Sequence, residues 1–215
     1  MVRCVDLFDA IPSELLELFA GKEYPWEIVG NIKKFLEKEI SKEGLYELFD
    51  GVFVGRDVKI SRTAEIVGPT VIMDGAEIRP GAYIRGSAYI GRRCVVGNST
   101  EVKNSILFDS VNVPHYNYVG DSILGRGAHM GAGAIASNLK ADKSNVIVHG
   151  DKEYNTELRK LGAILGDGAD VGCGCVLNPG SIVGKHTRIY PLTSVRGVVP
   201  ERVIMKSSEV IVPRN

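Results

Sequence analysis

The sequence predicts a mainly β fold, a parallel β-helix of six-residue repeats with a short N-terminal helical segment. Two observations carry this. An aliphatic residue recurs at every sixth position from Val54 through Ile60, Ile66, Ile72, Ile78, Ile84, Ile90, Val96 and Val102, and again through Leu165, Val171, Leu177, Val183, Ile189 and Val195. Glycine supplies 25 of 215 residues, above the usual ~7%, as frequent tight turns require.

A helix of period 3.6 cannot keep one residue inward at every sixth position, and an ordinary strand alternates at period two. Short strands separated by sharp corners can, because each corner resets the inward residue. Three such sides close a triangular coil. The residue four places after each aliphatic position is mostly small or β-branched: Ala64, Thr70, Ala76 and Cys94 early, Ile106 at the end of the first run, Cys175 and Thr187 later. That position must fit beside a turn. Gly91, Gly97, Asn98, Gly166, Gly172 and Gly184 fall at corners and suit them. The coil is expected from about Val54 to about Pro200.

Residues 1–50 read differently. Ser13 to Ala20 and Pro25 to Ile40 carry helical spacing, with Ile28, Ile32, Phe35, Leu36 and Ile40 on one stripe. Pro25 suits a first turn and Gly44 an exit. Two helices are expected, covering the open end of the coil or packing along its side. Within the 51–200 domain the repeat disappears over 139–162, an extruded loop with a hairpin that turns at Gly150-Asp151; such a loop is more often functional than idle. Residues 201–215 read as a C-terminal tail.

Charge and composition exclude several classes. The 26 basic and 26 acidic residues cancel, so no global basic field invites nucleic acid. No stretch approaches the ~20 apolar residues of a membrane span, and the N-terminus does not read as a signal peptide; a cytoplasmic location is expected. Cys4, Cys94, Cys173 and Cys175 are too few and scattered for a disulfide framework. Cys175 sits at an inward repeat position, where packing is its expected role. No histidine pair has the spacing of a zinc site, and no metal is expected.

The segment around Lys103 to Lys143 carries the most specific motif. His115 to Ser122 reads HYNYVGDS, Gly131 to Gly133 reads GAG, and Asn138 precedes the loop. Arg159 to Asp167 (RKLGAILGD) and Tyr190 to Arg196 (YPLTSVR) extend it. These strings resemble the acetyltransferase domain of bifunctional N-acetylglucosamine-1-phosphate uridyltransferases. They resemble still more the C-terminal halves of archaeal sugar-1-phosphate nucleotidylyltransferases. The resemblance spans about two-thirds of the chain. It implies a left-handed coil, since periodicity alone does not set the hand. It also implies a homotrimer with acetyl-CoA as cosubstrate between neighbouring coils, serving UDP-N-acetylglucosamine biosynthesis.

The resemblance further implies roles. His115 falls at the position of the general base. Tyr118 and Lys103 fall where the sugar phosphate is contacted; Arg85, or Arg79, supplies a further phosphate contact, and the spacing from Arg85 to Lys103 matches. Asn138 and Lys143 match positions holding the sugar and its phosphate. Ala132, Cys173 and Tyr190 fall where acetyl-CoA is contacted, mostly through backbone. Two positions depart from the pattern: His129 replaces an asparagine, and Leu139 replaces a tyrosine. The first fifty residues hold no Gly-rich phosphate loop, so uridyltransferase activity is expected to be absent.

An amine attacking a thioester needs a base, donors for the developing oxyanion and an anchor for the rest of the substrate. Histidine, whose charge changes near neutrality, suits the first. The N–H groups of the Gly131-Ala132-Gly133 turn suit the second. Lys103, Arg85 and Lys143 suit the third, as charge-assisted donors to phosphate. The expected function is therefore an acetyl-CoA-dependent N-acetyltransferase of glucosamine 1-phosphate or galactosamine 1-phosphate. An acyltransferase of a nucleotide-linked amino sugar and a non-catalytic trimeric sugar-phosphate scaffold are the alternatives.

Overall fold

The computed structural model describes residues 2–214. Short parallel strands, each one coil above the last, stack into three sheets, and the chain visits them in strict rotation. On the first face, Val52–Val54, Thr70–Ile72, Ala88–Ile90, Ser105–Leu107, Ile123–Leu124, Ala163–Leu165, Ser181–Val183 and Val198–Val199 lie in order. The second face runs from Lys59–Ile60 to Val203–Met205, and the third from Glu65–Ile66 to Ser194–Val195. This is a three-sided parallel β-helix; the resemblance gives its hand.

The six-residue rhythm accounts for the core. Val54, Ile72, Ile90, Leu107, Leu124, Leu165, Val183 and Val199 stack in register on the first face. They join Ile78, Val96 and Val113 from the second face and Ile84, Val102 and Val119 from the third in one buried cluster. Cys175 is buried in the same cluster.

Two coils depart from the expected phase in a way that matters for the site. From Val102 to Leu107, and again from Val119 to Leu124, the inward ladder advances five residues rather than six. Ser105 and Ser122, both buried, therefore take the position beside the turn that Ile106 was expected to fill. Ile106 instead faces outward from the first face and is buried under the N-terminal segment. The inward ladder thus continues through Leu107, Val113, Val119, Leu124 and Met130, where the sequence suggested a loss of rhythm. Dropping one residue tightens the corner between the third and first faces. A single left-handed residue, Asn104 (φ 46°) in one coil and Asp121 (φ 50°) in the next, makes each tightened turn. Asn and Asp adopt that conformation more readily than other side chains.

The N-terminal segment packs along the side of the coil, and helix there is more broken than its periodicity suggests. It forms turns at Cys4–Leu7, Ser13–Leu15, Leu16–Phe19, Trp26–Val29 and Ile32–Lys34, then a wider turn Phe35–Glu39 closed by the Ile40 N–H on the Phe35 carbonyl at 2.9 Å. The predicted stripe Ile28, Ile32, Phe35, Leu36 and Ile40 is buried. Its partner is the outward row of the first face, including Val71, Tyr89, Ile106, Ile123, Ile164 and Ile182. Every second residue of those strands faces out, and here both faces are apolar, so the first face needs a cover. Phe8, Phe19 and Phe108 meet within it, with ring centroids 4.9–6.1 Å apart.

The extruded loop folds back onto the same cover. Ile147–His149 pairs antiparallel with Glu153–Asn155, and Val146, Val148 and Leu161 are buried against the first face. Tyr24 stacks on Trp26 at 4.7 Å, and both rings abut Tyr154 of the hairpin. Residues set apart as a tail also belong to the coil: Val203–Met205 adds a strand to the second face, and Ile211–Pro213 turns back on it antiparallel. No helix among the described residues is long and apolar enough to cross a membrane.

Glu14 ties this cover to the coil through an ion pair with Arg92. Burial opposes the charge on Glu14, but the Arg92 guanidinium prevails and holds the carboxyl below its usual value. A depressed carboxyl contributes stability that is present above its unfolded value and is lost as pH falls through the folded one. Chemical denaturation should find Glu14→Gln less stable than wild type at pH 6, with the gap closing below about pH 4. A gap that stays undiminished from pH 6 down to pH 3 would show that the pair does not set the acid dependence.

Candidate functional site

The turns that leave the second face stack into a column. Successive coils place Pro80, Asn98, His115, Ala132, Cys173 and Pro191 at the same point of that corner. Each following residue is left-handed: Tyr116 at 52°, Gly133 at 71°, Gly174 at 67° and Leu192 at 62°. Its N–H bonds the column carbonyl one coil below, from Tyr116 to Asn98, Gly133 to His115, Gly174 to Ala132 and Leu192 to Cys173, at 2.8–3.0 Å. His115, Ala132 and Cys173 are therefore stacked neighbours, although 58 positions of sequence separate the first from the last.

Two buried features hold the His115 turn. A Cβ on Gly97 would stand 1.6 Å from the Pro114 carbonyl oxygen, so only glycine lets the coil beneath approach. Asn117, 2% exposed, accepts the His115 N–H at 3.1 Å and donates to the Gly131 and Ala134 carbonyls at 2.7 and 3.2 Å. It thus fastens the His115 turn to the Gly131-Ala132-Gly133 turn above. The His115 ring itself is exposed and has no partner among the described residues.

The Gly-rich turn offers fewer donors than its sequence suggests. The Gly131 N–H bonds the Val171 carbonyl at 2.7 Å, and the Gly133 N–H is taken by His115. Only the Ala132 N–H remains without a partner among the described residues; the Cys173 N–H, one coil above, is likewise unengaged. Both residues are exposed. Tyr190, 45% exposed, stands one position before the column, and its N–H is engaged by Met205.

Lys103, Tyr118 and Asn138 gather at the other end of the third face, around a carboxylate outside the predicted set. Asp121, 4% exposed, accepts Lys103 Nζ at 3.2 Å, Asn104 Nδ2 at 2.7 Å and Asn138 Nδ2. Asn138 Nδ2 also donates to the Tyr118 hydroxyl at 3.1 Å. Burial, with the Asp121 and Glu101 carboxylates nearby, pushes the Tyr118 phenol up and keeps it protonated. Arg85, one coil below Lys103, pairs with Glu101 at 2.7 Å. Arg79 pairs with Glu77 and belongs to the His115 side of the coil. Asp121 was visible in the HYNYVGDS string; its hub role follows from the shortened corner, which stacks it over Asn104.

Lys143 is not in that hydrogen-bonded group. It lines a cavity of about 570 Å³ that also touches Asp121, between the N-terminal segment and the neck of the extruded loop. Leu139 forms that neck through an antiparallel bridge with Lys160. His129 belongs to neither cluster: it lies on the second face with Nδ1 2.9 Å from Asp170, which also faces Arg188 at 3.8 Å. Among the described residues no group of three or more His, Cys, Asp or Glu side chains gathers to hold a metal.

Residues 66–212 match the model of the family described as the GMPPB C-terminal domain. The bifunctional protein GlmU of Methanococcus maripaludis is 32% identical over 210 residues, covering 89% of this chain and 48% of that protein. A bifunctional sugar-1-phosphate nucleotidylyltransferase/acetyltransferase of Sulfurisphaera tokodaii is 33% identical over 174 residues, covering 78% and 43%. The chain spans just under half the length of these relatives. The acetyltransferase domain of PglB from Neisseria gonorrhoeae, solved with acetyl coenzyme A, overlaps at 17% identity over 76% of this chain and 57% of that one, with a TM-score of 0.36.

Proposed function

The chain belongs to the GMPPB C-terminal domain family, and from that premise we propose that it is an acetyl-CoA-dependent N-acetyltransferase of an amino-sugar 1-phosphate. The observation that carries the reading is the corner column. His115, whose imidazole is exposed, stacks one coil beneath Ala132 and two beneath Cys173, and the backbone N–H groups of both find no partner among the described residues. Acetyltransferase is one of the two activities in the name of the Sulfurisphaera relative.

In this reading acetyl-CoA lies along the column, with Ala132 and Cys173 donating N–H bonds to it and Tyr190 flanking it. The amine nitrogen attacks the thioester carbonyl, a C–N bond forms, and the C–S bond breaks. His115 takes the amine proton and passes it to the departing sulfur, so coenzyme A leaves as a thiol. The Ala132 N–H opposes the charge on the tetrahedral oxygen. Arg85, Lys103, Tyr118, Asn138 and Lys143 hold the phosphorylated sugar across the third face, where Lys103 and Asn138 are already placed by Asp121. Tyr83, Ile135 and Val176 leave that face partly apolar and exposed, which favours a homotrimer whose neighbouring coil closes the cleft.

Thiol release from acetyl-CoA in the presence of glucosamine 1-phosphate or galactosamine 1-phosphate tests the reading. If a panel of amino-sugar phosphates yields no thiol, the enzymatic reading fails. Light scattering should give three times the chain mass.

The donor assignment has its own test. Pro80 and Pro191 occupy the column position of Ala132 in other coils, so Ala132→Pro fits the turn and removes just one N–H. Its unfolding midpoint should stay near wild type while kcat falls roughly 10²-fold, the scale of one lost oxyanion donor. An unchanged kcat would remove Ala132 from that role.

A further inference from the structure

The cavity beside Asp121 has a charge balance that a single sugar phosphate does not explain. Lys143, Arg159 and Lys160 all line it, and none makes an ion pair or a side-chain hydrogen bond among the described residues. The one acid on its wall, Asp121, is already matched by Lys103 and by the two amides of Asn104 and Asn138. Three positive charges thus line one concavity without an ion-pair partner among the described residues. A concave, low-dielectric wall focuses such a field on whatever enters.

Size and valence narrow the ligand. A phosphate monoester brings roughly two negative charges and occupies little of a cavity of about 570 Å³. That volume lies within the ~300–1,000 Å³ typical of small-molecule sites, large enough for more than a phosphate. Arg159 offers the planar fork that suits phosphate oxygens, and two lysines add point charges that adapt to a second phosphate. Leu158 gives the wall an apolar stretch on which a ring can rest. The walls also have separate origins: Gly30 comes from the N-terminal segment and Arg159 from the neck of the extruded loop. The site therefore exists only because both excursions fold onto the same corner.

We propose that this cavity is a binding site for a pyrophosphoryl group, the diphosphate of a nucleoside diphosphate or of a sugar linked to one. The proposal builds on the acetyltransferase reading only in its second arm, and its binding test is independent of turnover. The shared chemistry has two sources. The diphosphate is carried by the acceptor, making the substrate a nucleotide-linked amino sugar, or by a free nucleotide that modulates the enzyme.

Isothermal titration with UDP as the probe decides whether the site exists. The full chain should bind UDP, and the double variant Arg159→Ala/Lys160→Ala should bind it at least tenfold more weakly. Both residues are exposed, so an unchanged circular dichroism spectrum and retained acetyl-CoA binding would show an intact fold. Inorganic phosphate should bind the wild type far more weakly than UDP. The proposal is overturned if UDP fails to bind, or binds wild type and double variant alike, in which case these cations are a solvated surface. Thiol-release kinetics then separate the sources. A KM raised in the double variant for a UDP-linked amino sugar assigns the diphosphate to the acceptor. Loss of a UDP effect on the rate, with that KM unmoved, assigns it to an effector. If wild type releases no thiol at all, the acetyltransferase reading fails while the titration still stands.

Discussion

His115→Ala is expected to lower kcat for acetyl transfer by roughly 10²–10⁴-fold, the range of general-base catalysis. The KM for acetyl-CoA should hardly move, because the contacts assigned to it come from the backbone of Ala132 and Cys173. The geometry makes this a clean experiment. The ring is exposed and bonds to nothing among the described residues, so its loss should change stability by no more than about 0.5 kcal/mol, as for other surface substitutions. The turn is held by Gly97 and Asn117, which the substitution leaves in place. Thiol release at saturating substrates measures the effect. A variant that retains more than about a tenth of the wild-type rate would sink the assignment of His115 as base, since that is less than the weakest general base supplies.

Asp121→Ala is expected to cost both stability and acceptor affinity. The carboxylate is nearly buried and accepts three side-chain donors. Removing it strands the Lys103 ammonium beside the site and leaves the Asn104 and Asn138 amides short of a partner. Breaking a buried ion pair costs about 3–5 kcal/mol; Lys103 keeps some contact with water, so about 3 kcal/mol is the expected loss. For a chain of this size that lowers Tm by roughly 6–12 °C. The acceptor KM should rise more than kcat falls, because Lys103 and Asn138 lose their fixed geometry without the base being touched. Asp121→Asn keeps the shape and one acceptor, and should recover part of the stability while Lys103 stays unpaired. Wild-type Tm together with wild-type acceptor KM in Asp121→Ala would deny the hub any role.

The coil was readable because its signal is repeated. Each inward position such as Ile72 or Ile90 is a separate instance of one rule, and a triangular section with short sides is the only simple way to satisfy them all. The helical stripe from Ile28 to Ile40 was readable for the same reason, since a period marks a buried side. What that side packs against was not, because periodicity says that a face is covered and never by what. The choice between the end and the flank of the coil depended on the outward row Val71, Tyr89 and Ile106, whose apolar character only becomes a surface once the coils are stacked.

The site divides along the same line. Motif resemblance marked His115, Lys103, Tyr118 and Asn138 one by one, and the sequence alone supplied those residue types at that spacing. Tertiary structure decided which of them meet. It set His115 in a column with Ala132 and Cys173, and gathered Lys103, Tyr118 and Asn138 around Asp121 at the far edge of the same face. It also sent Lys143 to a cavity shared with Arg159 and Lys160. The physical reason is that a solenoid makes neighbours of residues one coil apart, and the coil length is set locally. Where two corners lose one residue each, every later residue shifts by one place against the coils below. A hydrophobic pattern read along the chain registers that slip only as a blurred rhythm; in three dimensions it is what brings Asn104 beneath Asp121.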